Sequence, residues 1–230
     1  MRSCCQTFLV RLPSTRALAT GGAIAPWLWS GIVIVLTLVE YDTLTGFGWT
    51  PLRSNDVNYP SSLALGQVGW AQMANFALLG ILLIGLAVAL YRSVRPQWSS
   101  RIAPVLLGIA GFGFLMSVAP TDHGPPNAPE TWHGDLHGAG FVVAFLPLVL
   151  SMLLLAVSFR GDPRWRGYVW LGPAVGVLAL LAFFGLAAVV PTSIDQIPFY
   201  LTLLVLFVGI AMIALRVRSL AVLTEPISIP

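Results

Sequence analysis

All three histidines of the chain, His123, His133 and His137, fall within fifteen residues of one another, with Asp122, Glu130 and Asp135 among them. Imidazoles and carboxylates move protons and bind cations near neutral pH, so chemistry is sought here first. The run Trp132-His133-Gly134-Asp135-Leu136-His137 leads into an apolar segment. If a helix begins by His133, the two histidines stand at i and i+4 on one face. Two imidazoles so placed can share one divalent metal, with a third ligand from Asp122, His123 or Glu130. The spacing selects no particular metal, and it lacks both the glutamate of the zinc-protease pattern and any cysteine ligand. The plainer use of the same residues is a polar rim, with Thr131 or Asp135 capping the helix and the imidazoles solvated.

Further polar residues belong to the same end of the neighbouring segments. Gln72 and Asn75 are about one helical turn apart in an apolar stretch, Glu40 ends another, and Asp195 follows a third. Such groups are expensive near hydrocarbon and usually face a bundle interior or a watery vestibule, which predicts an outward-opening polar cavity. Hydrogen bonding between helices is the plain alternative for Gln72 and Asn75. Ser61 and Ser62 follow Asn58-Tyr59-Pro60. A serine there could act with histidine and aspartate, although turn or cap use is the commoner role. The chain has no Gly-x-Ser-x-Gly elbow, phosphate loop, dinucleotide fingerprint or haem-attachment motif.

The elements that must position these residues are set by hydropathy. Of 230 residues, 57% are hydrophobic and 9% charged, whereas a soluble domain carries roughly 25% charged residues. A water-soluble core cannot absorb that apolar surface, but a bilayer can, at about 20 residues per crossing. The expected fold is all-α, a polytopic bundle of six transmembrane helices over residues 26–47, 68–91, 102–119, 136–159, 168–190 and 198–215. Residues 1–25 and 219–230 are expected to be cytoplasmic tails, leaving a membrane domain over 26–218. Gly108 with Gly111, and Gly172 with Gly176, supply small-residue faces for helix packing. Pro147 interrupts the fourth span and predicts a bend.

Charge orients the bundle. The net charge of +3 is carried entirely by arginine. Arg2, Arg11 and Arg16 precede the first span, Arg92, Arg95 and Arg101 link the second and third, Arg160, Arg164 and Arg166 link the fourth and fifth, and Arg216 and Arg218 follow the sixth. Only Arg53 falls on the other side, while Glu40, Asp42, Asp56, Asp122, Glu130, Asp135 and Asp195 all do. By the positive-inside rule both termini are cytoplasmic. These dispersed arginines are a topology signal and predict no nucleic-acid partner. Cys4 and Cys5, the only cysteines, are adjacent; they suggest no disulfide framework, and reversible acylation is their candidate modification.

The stretch Tyr59-Pro-Ser-Ser-Leu-Ala-Leu-Gly66, continued by Gly69-Trp-Ala-Gln-Met-Ala-Asn-Phe76 and Gly80, resembles bacterial and archaeal membrane proteins grouped as domain of unknown function family number 998. So does Pro120-Thr-Asp122 paired with a histidine, His133 or His137, entering the next span. The resemblance covers roughly residues 26–218 and implies a six-span bundle in a prokaryotic plasma membrane. It also implies a polar site of Ser61, Asn75, Asp122 and His137, and it implies no reaction. The insert Gly124 to Pro129 departs from the family pattern.

Three functions are compatible with these residues. The first is an integral membrane protein whose outward-facing pocket, built from Glu40, Ser61, Gln72, Asn75, Asp122 and Asp195 with the histidines, binds a small ligand, lipid head group or ion. The second is an intramembrane hydrolase in which His133, His137 and Asp122 hold a metal whose bound water attacks. The third is an assembly partner of another membrane protein, docking through its small-residue faces. Membrane lipid is the one partner common to all three, and the sequence says nothing of oligomerisation.

Overall fold

The computed structural model describes residues 13–53, 57–122 and 130–224. Cys4, Cys5, Arg2, Arg11, Asp56, His123, the insert at 124–129 and Glu225 lie outside them. The helices are α1 Thr15–Val39, α2 Tyr41–Gly46, α3 Gly69–Ser93, α4 Trp98–Met116, α5 Trp132–Phe159, α6 Leu171–Leu180 and α7 Ile197–Thr224. A 3-10 turn, Ser61–Leu65, precedes α3, and α6 continues as a π-helical stretch, Leu181–Leu186.

Five of these helices, α1, α3, α4, α5 and α7, are long and apolar enough to cross a membrane. At about 1.5 Å per residue even the 19-residue α4 extends roughly 28 Å. The remaining apolar helix, Leu171–Leu186, is shorter. An all-helical chain of this kind is an integral membrane protein, because a helix satisfies its own backbone where no water can.

Several helices differ in extent from the expected spans. The first long helix begins at Thr15, whereas the expected span begins near residue 26. Ser14 caps it, its hydroxyl accepting from the Ala17 N–H at 3.2 Å, and the small residues of its first turns pack on α3, where Gly22 lies under Leu86. Pro26 sits inside the helix. At the far end Glu40 terminates α1, and residues 41–46 form the separate α2. Helix α7 runs on through residues expected to be tail, as far as Thr224. Helix α5 passes through Pro147 as one 28-residue element.

The helices pack in the cyclic order α1, α3, α4, α5, α6, α7 and back to α1, with α3 also touching α7 across the middle. Buried aliphatic side chains fill that middle, among them Leu79, Leu83, Leu86, Leu107, Leu155 and Ile210. Gly111 faces the Gly80 carbonyl, and Gly172 faces the Met152 carbonyl. Gly176 lies against Leu153 in the same way, whereas Gly108 makes only ordinary contact with Ala87. Buried polar ties also join helices, among them the Ser151 hydroxyl donating to the Ala103 carbonyl at 2.8 Å.

The two ends differ chemically. At one end Arg92 donates to the Pro13 carbonyl at 3.1 Å, and Arg164 donates to Ser93 O at 3.1 Å and to the Asp162 carboxylate at 2.7 Å. Arg216 donates to the Arg164 carbonyl and lies over the Tyr168 ring. Hydrogen bonding from Arg164 holds the Asp162 carboxyl below the usual carboxylate range. The other end carries Asp122, His133 and His137. Exposed tryptophans flank both, Trp98 and Trp170 toward the arginines and Trp70 and Trp132 toward the histidines. Amphipathic indoles collect at both faces of a bilayer in this way.

Candidate functional site

Three segments meet at the histidine end. One is the turn Asn58 to Leu65 that leads into α3, another is the extended stretch Ala119 to Asp122 after α4, and the third is the first turns of α5. Thr131 caps α5, its hydroxyl accepting from the Gly134 N–H at 3.4 Å, and the helix starts at Trp132, so His133 and His137 are both helical. They share a face, as their spacing predicts, but they do not converge on one point.

His137, 7% exposed, places Nδ1 at 2.6 Å from the Ala119 carbonyl and Nε2 at 2.8 Å from the Ser61 hydroxyl. A carbonyl only accepts, so Nδ1 carries the proton. Nε2 is then a lone pair, and Ser61 Oγ–H donates to it. The ring also meets Phe76 of α3 edge to face, 5.7 Å between centroids. His133 instead donates from Nδ1 to the Pro120 carbonyl at 3.2 Å and approaches Asp122 Oδ1 at 3.4 Å.

Asp122 is bound chiefly by Thr131, whose backbone N–H donates to Oδ2 at 2.6 Å and whose hydroxyl donates to Oδ1. The hydroxyl first, then the backbone N–H, holds the Asp122 carboxyl below the usual carboxylate range, and His133 adds a smaller pull. A side chain at Gly134 would collide with this carboxylate. Thr121, buried beside it, accepts from the Asn58 side-chain amide at 3.4 Å.

The other expected site residues fall elsewhere. Gln72 and Asn75 are buried in α3, where the Asn75 amide donates to the Trp29 carbonyl at 3.2 Å and to Gln72 Oε1 at 3.3 Å. Gln72 Nε2 and Trp29 Nε1 are buried without a hydrogen-bond partner. Glu40, 4% exposed, accepts from the Val68 N–H at 2.7 Å and from the Thr43 hydroxyl at 2.8 Å. It thereby fastens the end of α1 to the start of α3. Asp195 is exposed in a turn that is tied to the segment after α2, where Gln196 N–H donates to the Leu52 carbonyl at 3.1 Å.

These positions bear on the metal expectation. Among the described residues no group of three His, Cys, Asp or Glu side chains stands together to hold a metal. Both nitrogens of His137 are engaged, and Asp122 has turned to Thr131, so the donor set does not fit a shared ion. The Ala119 carbonyl and Phe76 contact were not readable as site features, because a backbone oxygen has no residue-type signature and a phenylalanine in an apolar helix carries no distinguishing mark.

Two apolar cavities flank α1. One of about 260 Å³ lies between α1 and α7 and reaches Tyr59 and Pro60, the residues immediately before Ser61. The second, about 640 Å³, lies between α1 and α3 and reaches Asn75. Tyr59 lines the first, its hydroxyl 3.0 Å from Thr37 Oγ1. Since the Thr37 hydrogen is given to the Val33 carbonyl at 2.7 Å, Tyr59 is the donor. Burial pushes the Tyr59 phenol up, so it keeps that hydrogen.

A family model described as "Protein of unknown function (DUF998)" matches residues 24–218. No curated protein and no solved structure matches the chain.

Proposed function

The chain belongs to the DUF998 family of proteins of unknown function, and from that premise we propose a six-span protein that binds the polar head of a membrane lipid at its histidine end. The single observation that carries this reading is the meeting of Ser61, His137 and the Ala119 carbonyl directly after Tyr59 and Pro60, two residues that line an apolar cavity. A lipid offers hydrogen-bonding oxygens at its head and hydrocarbon below. The hydrogen-bonding cluster and the apolar cavity lined by the two residues before Ser61 supply surfaces of both kinds.

In this reading Leu171–Leu186 is the sixth crossing. Its 16 residues span about 24 Å as a helix, and local thinning of the bilayer covers the shortfall. The arginine end then faces the cytoplasm with both termini, and the site opens outward across a plasma membrane. With Cys4 and Cys5 replaced by serine, an Asp195→Cys variant is expected to react with an impermeant maleimide on intact cells, and Arg166→Cys only after permeabilisation. Reaction of both from outside would remove the sixth crossing, and the reverse pattern would invert the protein. Native mass spectrometry is expected to find lipid retained by the wild type and lost from Ser30→Trp, which fills the cavity beside α1. Equal retention would overturn the lipid site.

A further inference from the structure

We infer that Ser61 and His137 are a nucleophile and its general base, and that they cleave a carboxylic ester of the lipid held at this site. The inference rests on the lipid-binding reading above and adds a reaction to it. Its first support is the proton arrangement. The Ala119 carbonyl fixes the His137 tautomer with hydrogen on Nδ1, and Nε2 faces the Ser61 hydroxyl at 2.8 Å. A nucleophile bonded to a base, with the base oriented by a third group, is the arrangement that activates a serine.

A purely structural tie between the turn and α5 would use the same hydrogen bonds, so two further observations matter. Ser61 is partly exposed while His137 is buried, so the nucleophile is the more accessible member of the pair. Gln72 Nε2 is fully buried and has no partner. Gln72 lies one turn from Phe76 on the same face of α3, and Phe76 touches the His137 ring. A buried, unspent N–H donor on that face is suited to the negative oxygen that develops during attack.

The chemistry balances with water as the only co-reactant. Ser61 Oγ attacks the ester carbonyl carbon while its proton passes to His137 Nε2. The carbonyl electron pair moves onto oxygen, then returns as the C–O bond to the alcohol breaks and Nε2 protonates the departing alkoxide. Water, deprotonated by Nε2, attacks the Ser61 acyl ester; its collapse releases a carboxylic acid and restores the Ser61 hydroxyl. The class of substrate follows from the third member. A neutral carbonyl stabilises the imidazolium less than a carboxylate would, and Asp122 is turned to Thr131. Such a pair suits an ester, whose alkoxide leaves more readily than an amine from an amide.

The test uses the full chain in phospholipid nanodiscs and a long-chain alkyl fluorophosphonate as probe, with the adduct mapped by peptide mass spectrometry. Ser61 is expected to carry a single phosphonyl group, and Ser61→Ala none. His137→Gln can still donate to Ala119 O and accept from Ser61, but it cannot take a proton. It is expected to label about 10²- to 10⁴-fold more slowly with an unchanged melting temperature. Gln72→Leu is expected to label about 10²-fold more slowly. Labelling of His137→Gln at the wild-type rate, or an unmodified Ser61 in wild-type protein that still retains lipid, would overturn the ester-cleaving pair and leave lipid binding standing. Absence of both retained lipid and adduct would overturn both.

Discussion

Removing the Glu40 carboxylate is expected to unfasten the start of α3. The side chain is 4% exposed and accepts two hydrogen bonds, from Val68 N–H at 2.7 Å and from the Thr43 hydroxyl at 2.8 Å. Gly66 also lies so close that any side chain there would collide with the carboxylate. Hydrogen bonds to charged groups contribute about 1.5–3 kcal/mol each, and the half-buried Val68 N–H would lose its partner. Glu40→Ala is therefore expected to destabilise by about 3–5 kcal/mol, allowing for partial relaxation and entry of water. Glu40→Gln keeps the shape and one acceptor, and the Thr43 hydroxyl can rotate to accept from the new amide. Its expected cost is about 1 kcal/mol, the difference between charged and neutral hydrogen bonds. Cooperative unfolding in dodecyl maltoside micelles measures both, with Glu40→Ala lowering Tm by on the order of 10 °C. If Glu40→Ala falls within about 0.5 kcal/mol of wild type while lipid retention is lost, the capping argument fails and Glu40 is a ligand group instead.

Two further outcomes follow from the packing and the loop. Gly172→Ala places a methyl 2.5 Å from the Met152 carbonyl, whereas Gly31→Ala meets nothing within 4 Å. The first is expected to cost about 1–3 kcal/mol by overpacking and the second to be neutral or slightly stabilising through helix propensity; equal melting temperatures would refute the close α5–α6 approach. Because Thr131 depresses the Asp122 carboxyl, the stability it contributes is complete above the unfolded carboxylate value, about pH 4, and is lost as pH falls through the lower folded value. The Tm difference between wild type and Asp122→Asn is accordingly expected to vanish on acidification below that range, and a difference that persists unchanged would refute this contribution.

Much of the architecture was legible because it depends on sums along the chain. The apolar segments, the segregated arginines and the Gly172–Gly176 face need no knowledge of partners, and the helix starts at α3 and α5 fall close to their expected positions. The full length of α1 is not legible in hydropathy alone, because the Ser14 cap and the packing of Gly22 under Leu86 carry the helix eleven residues before Pro26. The polar residues were found but grouped too broadly. Their type shows that they are costly in hydrocarbon, and it does not show which partner relieves the cost. Glu40 meets backbone and Thr43, Asn75 meets Trp29, and His137 meets Ser61.

The sequence by itself determined that this chain lives in a membrane and that its two ends differ, because hydropathy and charge act residue by residue against the surrounding medium. Only the tertiary structure decided that His133 and His137 part company, one to Pro120 and Asp122 and the other to Ala119 and Ser61. An imidazole's role depends on which atom lies within 3 Å of each nitrogen. Here those atoms include a backbone carbonyl and a hydroxyl from segments 18 and 76 residues away.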